Sequence, residues 1–272
     1  MKLKKIVEQD MWKLSPQLWN ADLESSSILL TFAHQINQTH MSYPICFVSL
    51  GPGDPELITL KGLKKLRQAE IIYCPATMNK NGQLLSRAAR IIEELGIGES
   101  AIRLFTLPMS KNRTEAWKVY DALYEEAASA WDEGKKVVIV AEGDAGFYSS
   151  IQYIYDKFRE NRIEVERTAG IPAFIAAGAL AGLHIVKQEE QIIVIPGTLT
   201  AEELSEKIKA GYVIVIMKLS QCVEAVHTCI QLHPEANFHY FENVGTGKEF
   251  YTSDRKQIQG KIFPYFSLMI IQ

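Results

Sequence analysis

The stretch Val48-Ser49-Leu50-Gly51-Pro52-Gly53-Asp54-Pro55, which continues the apolar run Ile45-Cys46-Phe47, decides how this chain is read. A buried strand that ends in a glycine turn is what an open α/β sheet presents where it binds ligands, outside the carboxyl ends of its parallel strands. Two glycines let the backbone take positive φ or approach a ligand closely, and Pro52 stiffens the turn. The spacing is not GxGxxG, so a loop that grips a dinucleotide pyrophosphate, and with it a nucleotide-dependent dehydrogenase, finds little support. Alone, such a turn is structural at least as often as it is functional.

Outward from this turn the pattern alternates between strand and helix. Leucines at 57, 60, 63 and 66 mark a helix with Thr59 as N-cap, followed by the strand Ile71-Ile72-Tyr73-Cys74 and a helix around 83–95 stopped by Gly96. A short strand at 102–104 precedes a long helix from Thr114 that carries Trp117, Tyr120, Tyr124, Ala127 and Trp131 on one face. Val137-Val138-Ile139-Val140 is a fully apolar strand, and a helix over 148–160 and a strand over 163–167 follow. The second half reads as a small-residue helix at 173–181, strands at 192–195, 213–217, 238–241 and near 265–271, and helices at 200–210 and 220–231. Continuous β-branched runs separated by helices predict parallel sheets covered on both faces. The expected fold class is α/β, with two α/β domains at 44–160 and 161–272 and a cofactor and substrate cleft between them. Residues 1–43 lack the alternation and read as a mobile N-terminal extension or a start-site artefact.

Two further glycine turns close buried strands. Glu142-Gly143-Asp144-Ala145-Gly146-Phe147-Tyr148 follows strand 137–141, and Thr168-Ala169-Gly170-Ile171-Pro172-Ala173-Phe174 follows strand 163–167. Asp144 either caps the next helix or accepts hydrogen bonds from a ligand. The small residues from Ala173 to Gly182 suit tight helix packing as well as they suit a ligand.

A net charge of -3 gives no basic field to draw phosphate, which argues against nucleic acid as a partner. No run approaches the ~18 apolar residues of a membrane span, and Glu8 and Asp10 break the apolar segment that a signal peptide would need. Cys46, Cys74, Cys222 and Cys229 share no CxxC spacing, and the six histidines form no HxxxH or HExxH pair, so no metal is expected. His184 reads as a packing histidine. A cytoplasmic, reducing setting without membrane contact is the expectation.

Together the three turns resemble the tetrapyrrole methylases, the S-adenosylmethionine (SAM) enzymes of cobalamin and sirohaem synthesis. That family shows a GxGPGDPxLLT loop, a GDPxxY turn and a PG(I/V)(S/T)S turn, spaced much as here, and the resemblance covers residues 44–272. Ala145 replaces the proline of the second motif, Ala169 the proline before Gly170, and Pro172 a hydroxyl residue; the last change removes a side chain that could contact SAM. Three more stretches resemble the precorrin-2 C(20)-methyltransferase branch, which methylates precorrin-2 or cobalt-factor II. These are Leu107-Pro108-Met109-Ser110-Lys111 with Arg113 and Trp117, then Val215-Ile216-Met217-Lys218, and Pro264-Tyr265-Phe266-Ser267-Leu268.

The resemblance implies SAM contacts from Pro52 in the first loop, Glu142, Gly143, Asp144 and Phe147 in the second, and Ala173 and Phe174 in the third. From the second domain it implies contacts by Met217, Gly245 and Thr246, and it further implies a homodimer. Lys111, Arg113 and Lys218 are candidates to hold the carboxylates of a tetrapyrrole substrate, each with a solvated surface charge as its bland alternative. Methyl transfer needs no Ser or Cys nucleophile, and no catalytic residue is assigned; Glu142, Asp144, Tyr148 or water could take the proton that must leave. Within enzymes the rivals are sister methylases acting on uroporphyrinogen, another precorrin position or diphthine. From another class, the altered third turn would suit a non-catalytic module that binds SAM or a tetrapyrrole.

Overall fold

The computed structural model describes residues 43–79, 81–107 and 113–272. The extension expected over residues 1–43 therefore lies, but for Tyr43, outside the described residues, as do Lys111 and the loop around it. Residues 43–272 form one compact unit.

The first sheet holds β1 (Ile45–Ser49), β2 (Ile71–Met78), β3 (Leu84–Leu85), β4 (Ile102–Thr106), β5 (Val137–Ala141) and β6 (Val165–Thr168). Its parallel strands run in the order β4-β2-β5-β1-β6, while β3 pairs antiparallel with the end of β2. All five residues of β1 and of β5 are buried, which is why both are uninterrupted apolar runs in the sequence. Helices α1 (Leu60–Gln68), α2 (Arg87–Glu94), α3 (Arg113–Asp132) and α4 (Gln152–Glu160) supply the covering layers. On one face Ile45, Phe47 and Ile139 pack against Tyr120, Leu123, Ile154 and Phe158. On the other, Cys46, Val48, Val138 and Val140 pack against Leu66, Ile91 and Ile92. Each fully buried side chain of this size contributes about 1.5–3 kcal/mol.

Local signals set the helix starts. The Thr59 hydroxyl accepts from the Gly62 amide at 3.1 Å, so the predicted N-cap forms. Ser86 caps α2 by accepting from the Ala89 amide at 3.0 Å. The helix expected from residue 148 starts only at Gln152, because Tyr148 sits at a φ of 49° and breaks helical continuity. Asp144 thus does not cap α4, whose first turn has no side-chain cap at all. Strand β6 lies beyond residue 160 yet pairs with β1, so the first sheet extends past the join expected there.

The second sheet holds β7 (Ile192–Ile195), β8 (Val213–Ile216), β9 (Phe238–Glu242), β10 (Phe250–Thr252) and β11 (Ser267–Ile271), in the order β10-β9-β11-β8-β7. Here the parallel expectation holds for β7 and β8 alone; the other neighbours are antiparallel. For β9 and β10 the physical reason is connection length. A parallel return needs a crossover of about a dozen residues or more, and the turn from Glu242 to Phe250 is too short for one. Helix α5 (Ala173–Leu180) covers one face, with Ala177 against Val215, Phe241 and Ile270. The other face packs on α6 (Ala201–Lys209) and α7 (Val223–Leu232) through Leu204, Val226 and Ile230. The one-turn helix α8 (Arg255–Ile258) precedes β11.

The four cysteines are buried and free; burial pushes the Cys74 thiol up to about 12. His184 is exposed rather than packed into a core, because it lies in the turn after α5. Among the described residues no group of three His, Cys, Asp or Glu could hold a metal ion, and no helix is long and apolar enough to cross a membrane.

Candidate functional site

Strand β1 lies between β5 and β6, so the turns that follow these three strands emerge side by side. Distant segments of sequence thereby become one surface. Gly51 and Gly143 exchange backbone hydrogen bonds, the Gly51 amide donating at 3.1 Å and the Gly143 amide at 2.7 Å. Ser49, fully buried at the end of β1, ties the other turns together. Its hydroxyl donates to the Thr168 carbonyl at 2.6 Å and accepts from the Ala145 amide at 2.8 Å.

Asp144 completes the weave. One carboxylate oxygen accepts from the Gly146 amide at 2.8 Å and the other from the Gly170 amide at 2.7 Å. The side chain thus cross-links the second turn to the third, a use that neither sequence alternative foresaw. Gly170 is required there for lack of space. A Cβ at this position would sit 2.4 Å from the Ser49 Cβ and 2.6 Å from the Gly143 carbonyl oxygen. Turns tied together in this way form a stiff floor, and breaking either bond of the buried Ser49 hydroxyl strands a polar partner away from water.

The second sheet closes on this floor from the other side. Gly53, at a φ of 143°, has no room for a side chain: a Cβ would lie 2.9 Å from Arg87 Nη2 and 3.0 Å from the Gly245 carbonyl oxygen. Gly245 correspondingly faces the Asp54 and Gly53 amides. Beside it the Thr246 hydroxyl donates to the Asn243 carbonyl at 2.8 Å. Tyr148 reaches across to donate its hydroxyl to the Val194 carbonyl in β7 at 2.9 Å. The Phe147 ring stands 6.0 Å from that of Phe174, and Ala173, Phe174 and Met217 pack on the same apolar cluster.

Electrostatics at the site centre on Glu142. Burial raises its carboxyl above the usual value, opposed by the positive charges of Arg87 and Arg90. Arg87 Nε stands 3.4 Å from a Glu142 oxygen, and the same guanidinium donates to the Pro52 carbonyl at 3.3 Å.

The structure therefore gathers Pro52, Glu142, Gly143, Asp144, Gly245 and Thr246 around one set of abutting turns, and Phe147, Ala173, Phe174 and Met217 into one apolar wall. Lys218 follows Met217 at the end of β8, with no ion pair among the described residues. Arg113 is the first residue of α3, and Lys111 lies outside the described residues. Ser49 and Arg87 were not singled out from sequence. A lone serine in an apolar strand and an arginine after a capping serine carry no local signal of what they touch.

A family model described as Tetrapyrrole (Corrin/Porphyrin) Methylases matches residues 44–258. The chain belongs to this family. It is a SAM-dependent tetrapyrrole methyltransferase. Among its relatives, the methylase is 28% identical over 233 residues to the precorrin-2 C(20)-methyltransferase of Sinorhizobium sp, a match that spans 82% of this chain and 93% of the relative. Its fold is similar to that of a cobalt precorrin-4 methyltransferase, with a TM-score of 0.63 at 19% identity over 86% of this chain and 95% of the other. It is likewise similar to the uroporphyrin-III C-methyltransferase of Thermus thermophilus complexed with S-adenosylhomocysteine, with a TM-score of 0.58 at 17% identity over 84% and 92% of the two chains.

The residues present suit a SAM molecule chemically. Phe147, Phe174 and Met217 offer apolar faces for a purine, Glu142 offers an acceptor for hydroxyl or ammonium groups, and the glycine turns offer exposed backbone. The bare approach of Gly53 to Gly245 keeps the two sides of the site close without filling it with side chains.

Proposed function

We propose that this methylase transfers a methyl group from SAM to carbon 20 of precorrin-2 or its cobalt-containing counterpart. The observation that supports the cofactor assignment most is the weave of three turns through Ser49 and Asp144, which fixes Pro52, Glu142 and Phe147 on one floor. Support for the position methylated comes from the Sinorhizobium relative, matched over nearly its whole length, and from the stretches 107–117, 215–218 and 264–268.

Bound SAM supplies the methyl group on a sulfonium. The protein's task is then chiefly to align donor and acceptor, and alignment of this kind is worth on the order of 7–11 kcal/mol in favourable intramolecular cases. Pro52, Gly143 and Gly245 present backbone, Phe147, Ala173, Phe174, Met217 and Thr246 present shape, and Lys218, Arg113 and Lys111 hold substrate carboxylates. Asp144 has both oxygens committed to backbone amides and Tyr148 donates its hydroxyl to Val194, so Glu142 or water is left to take the departing proton. A carboxyl raised by burial suits that role, because its conjugate base is stronger than an exposed carboxylate. The active form is a homodimer in the cytoplasm.

The test is incubation with SAM carrying a labelled methyl group and, separately, precorrin-2, cobalt-factor II or uroporphyrinogen III, with the label located by NMR. Label on carbon 20 of either of the first two is the expected result. Labelled uroporphyrinogen alone, or no product from any of the three, overturns the substrate assignment.

A further inference from the structure

Arg87, which the sequence did not single out, touches three separate parts of the site. Its guanidinium donates to the Pro52 carbonyl of the first turn, pairs with Glu142 of the second, and stands over the ring of Phe266, just before β11, with its central carbon 4.0 Å from the ring centroid. Its side chain is only 20% exposed. An arginine can do all three at once, because the edge of the planar group donates while its face stacks on an aromatic ring. A lysine ammonium has no flat face and cannot.

We propose that Arg87 is a positioning residue for methyl transfer, holding Pro52, Glu142 and Phe266 in one arrangement so that the loops of the first sheet and the C-terminal segment of the second close on the same site. This rests on the proposed function for the identity of the ligand. The local geometry stands without it.

The charges that bear on Glu142 are Arg87 and Arg90, both from α2, while Asp144 two residues along is turned to the Gly146 and Gly170 amides. Loss of Arg87 leaves burial opposed by Arg90 alone, so the Glu142 carboxyl holds its proton to higher pH. A residue that stabilised the fold from outside this site would not move that titration; the separate loss of binding in Arg87→Lys is what tests positioning.

The experiment uses the full chain as wild type, Arg87→Met, Arg87→Lys and Phe266→Leu. The Glu142 carboxyl is followed by carbon-13 NMR on glutamate-labelled protein, its resonance assigned by its absence in Glu142→Gln, and S-adenosylhomocysteine affinity is measured by calorimetry across pH. In Arg87→Met the midpoint of Glu142 should rise by about one pH unit or more, and affinity at neutral pH should fall about tenfold or more. Arg87→Lys should keep the midpoint near that of wild type yet still weaken binding, and Phe266→Leu should weaken binding with the midpoint unmoved. An unmoved midpoint in Arg87→Met, or wild-type affinity in Arg87→Lys, overturns the proposal; the second arm decides if Arg87→Met does not fold. Absence of S-adenosylhomocysteine binding by the wild type would count against the proposed function, while the titration still decides whether Arg87 holds Glu142.

Discussion

Replacing Ser49 by alanine should loosen the floor of the site and cost the protein about 3 kcal/mol. The hydroxyl is fully buried, donates to the Thr168 carbonyl at 2.6 Å and accepts from the Ala145 amide at 2.8 Å. Alanine removes one oxygen and with it both bonds, leaving a buried carbonyl and a buried amide without that partner. A buried polar group so stranded costs about 1–3 kcal/mol. Two of them would reach about 2–6 kcal/mol, and the weaker bond from the Ser49 amide to the Thr168 hydroxyl at 3.3 Å survives to limit the loss. A value in the lower half of that range, about 3 kcal/mol, is expected. The backbone strain is nil, since Ser49 is an ordinary strand residue, and the cavity left is one atom in size. In urea, with an m-value of about 3 kcal/mol per molar, the unfolding midpoint should fall by about 1 M. S-adenosylhomocysteine affinity should fall with it, because the second and third turns are no longer tied to β1. A midpoint shift below about 0.3 M would show that the Ser49 hydroxyl is not what joins the turns, and the description of the site as a stiff weave would then fail.

Two more outcomes test other parts of the structure. Gly170→Ala should destabilise by about 3 kcal/mol or more, since its Cβ would press on the Ser49 Cβ and the Gly143 oxygen; a thermal unfolding curve matching wild type would contradict the packing of the three turns. Glu166 accepts from Lys61 at 2.7 Å and Lys65 at 2.5 Å, and those hydrogen bonds lower its carboxyl below its usual value of 4.5. A lowered carboxyl stabilises the fold above its unfolded value and loses that contribution as pH falls through the folded one. Wild type should therefore exceed Glu166→Gln by at most about 1 kcal/mol at neutral pH, discounted for exposure, and the gap should shrink as pH falls through the lowered folded value; urea unfolding at neutral and acid pH reads it, and a gap that widens in acid would refute the pairing.

Much of this arrangement is written locally in the chain. Val137-Val138-Ile139-Val140 can only be a strand buried on both faces, and Thr59 marks its helix because its side chain reaches an amide three residues away. Such features depend on neighbours in sequence, so periodicity and capping chemistry reveal them. The short strand Phe250–Thr252 escaped, because three residues give no period, and the antiparallel run of the second sheet escaped with it.

The turn that begins at Gly51 illustrates the division. From its residues alone came a stiff glycine turn at a strand end, and from its two partner turns came the methylase resemblance. Only the tertiary structure decided that β1 runs between β5 and β6, which is what brings the three turns together. It also decided that Asp144 binds the third turn rather than capping α4, and that Arg87 meets Phe266 across the site. The reason is physical. Strand order and side-chain reach are set by long-range packing of sheets and helices, and a pair separated by 179 positions, such as Arg87 and Phe266, leaves no trace in local pattern.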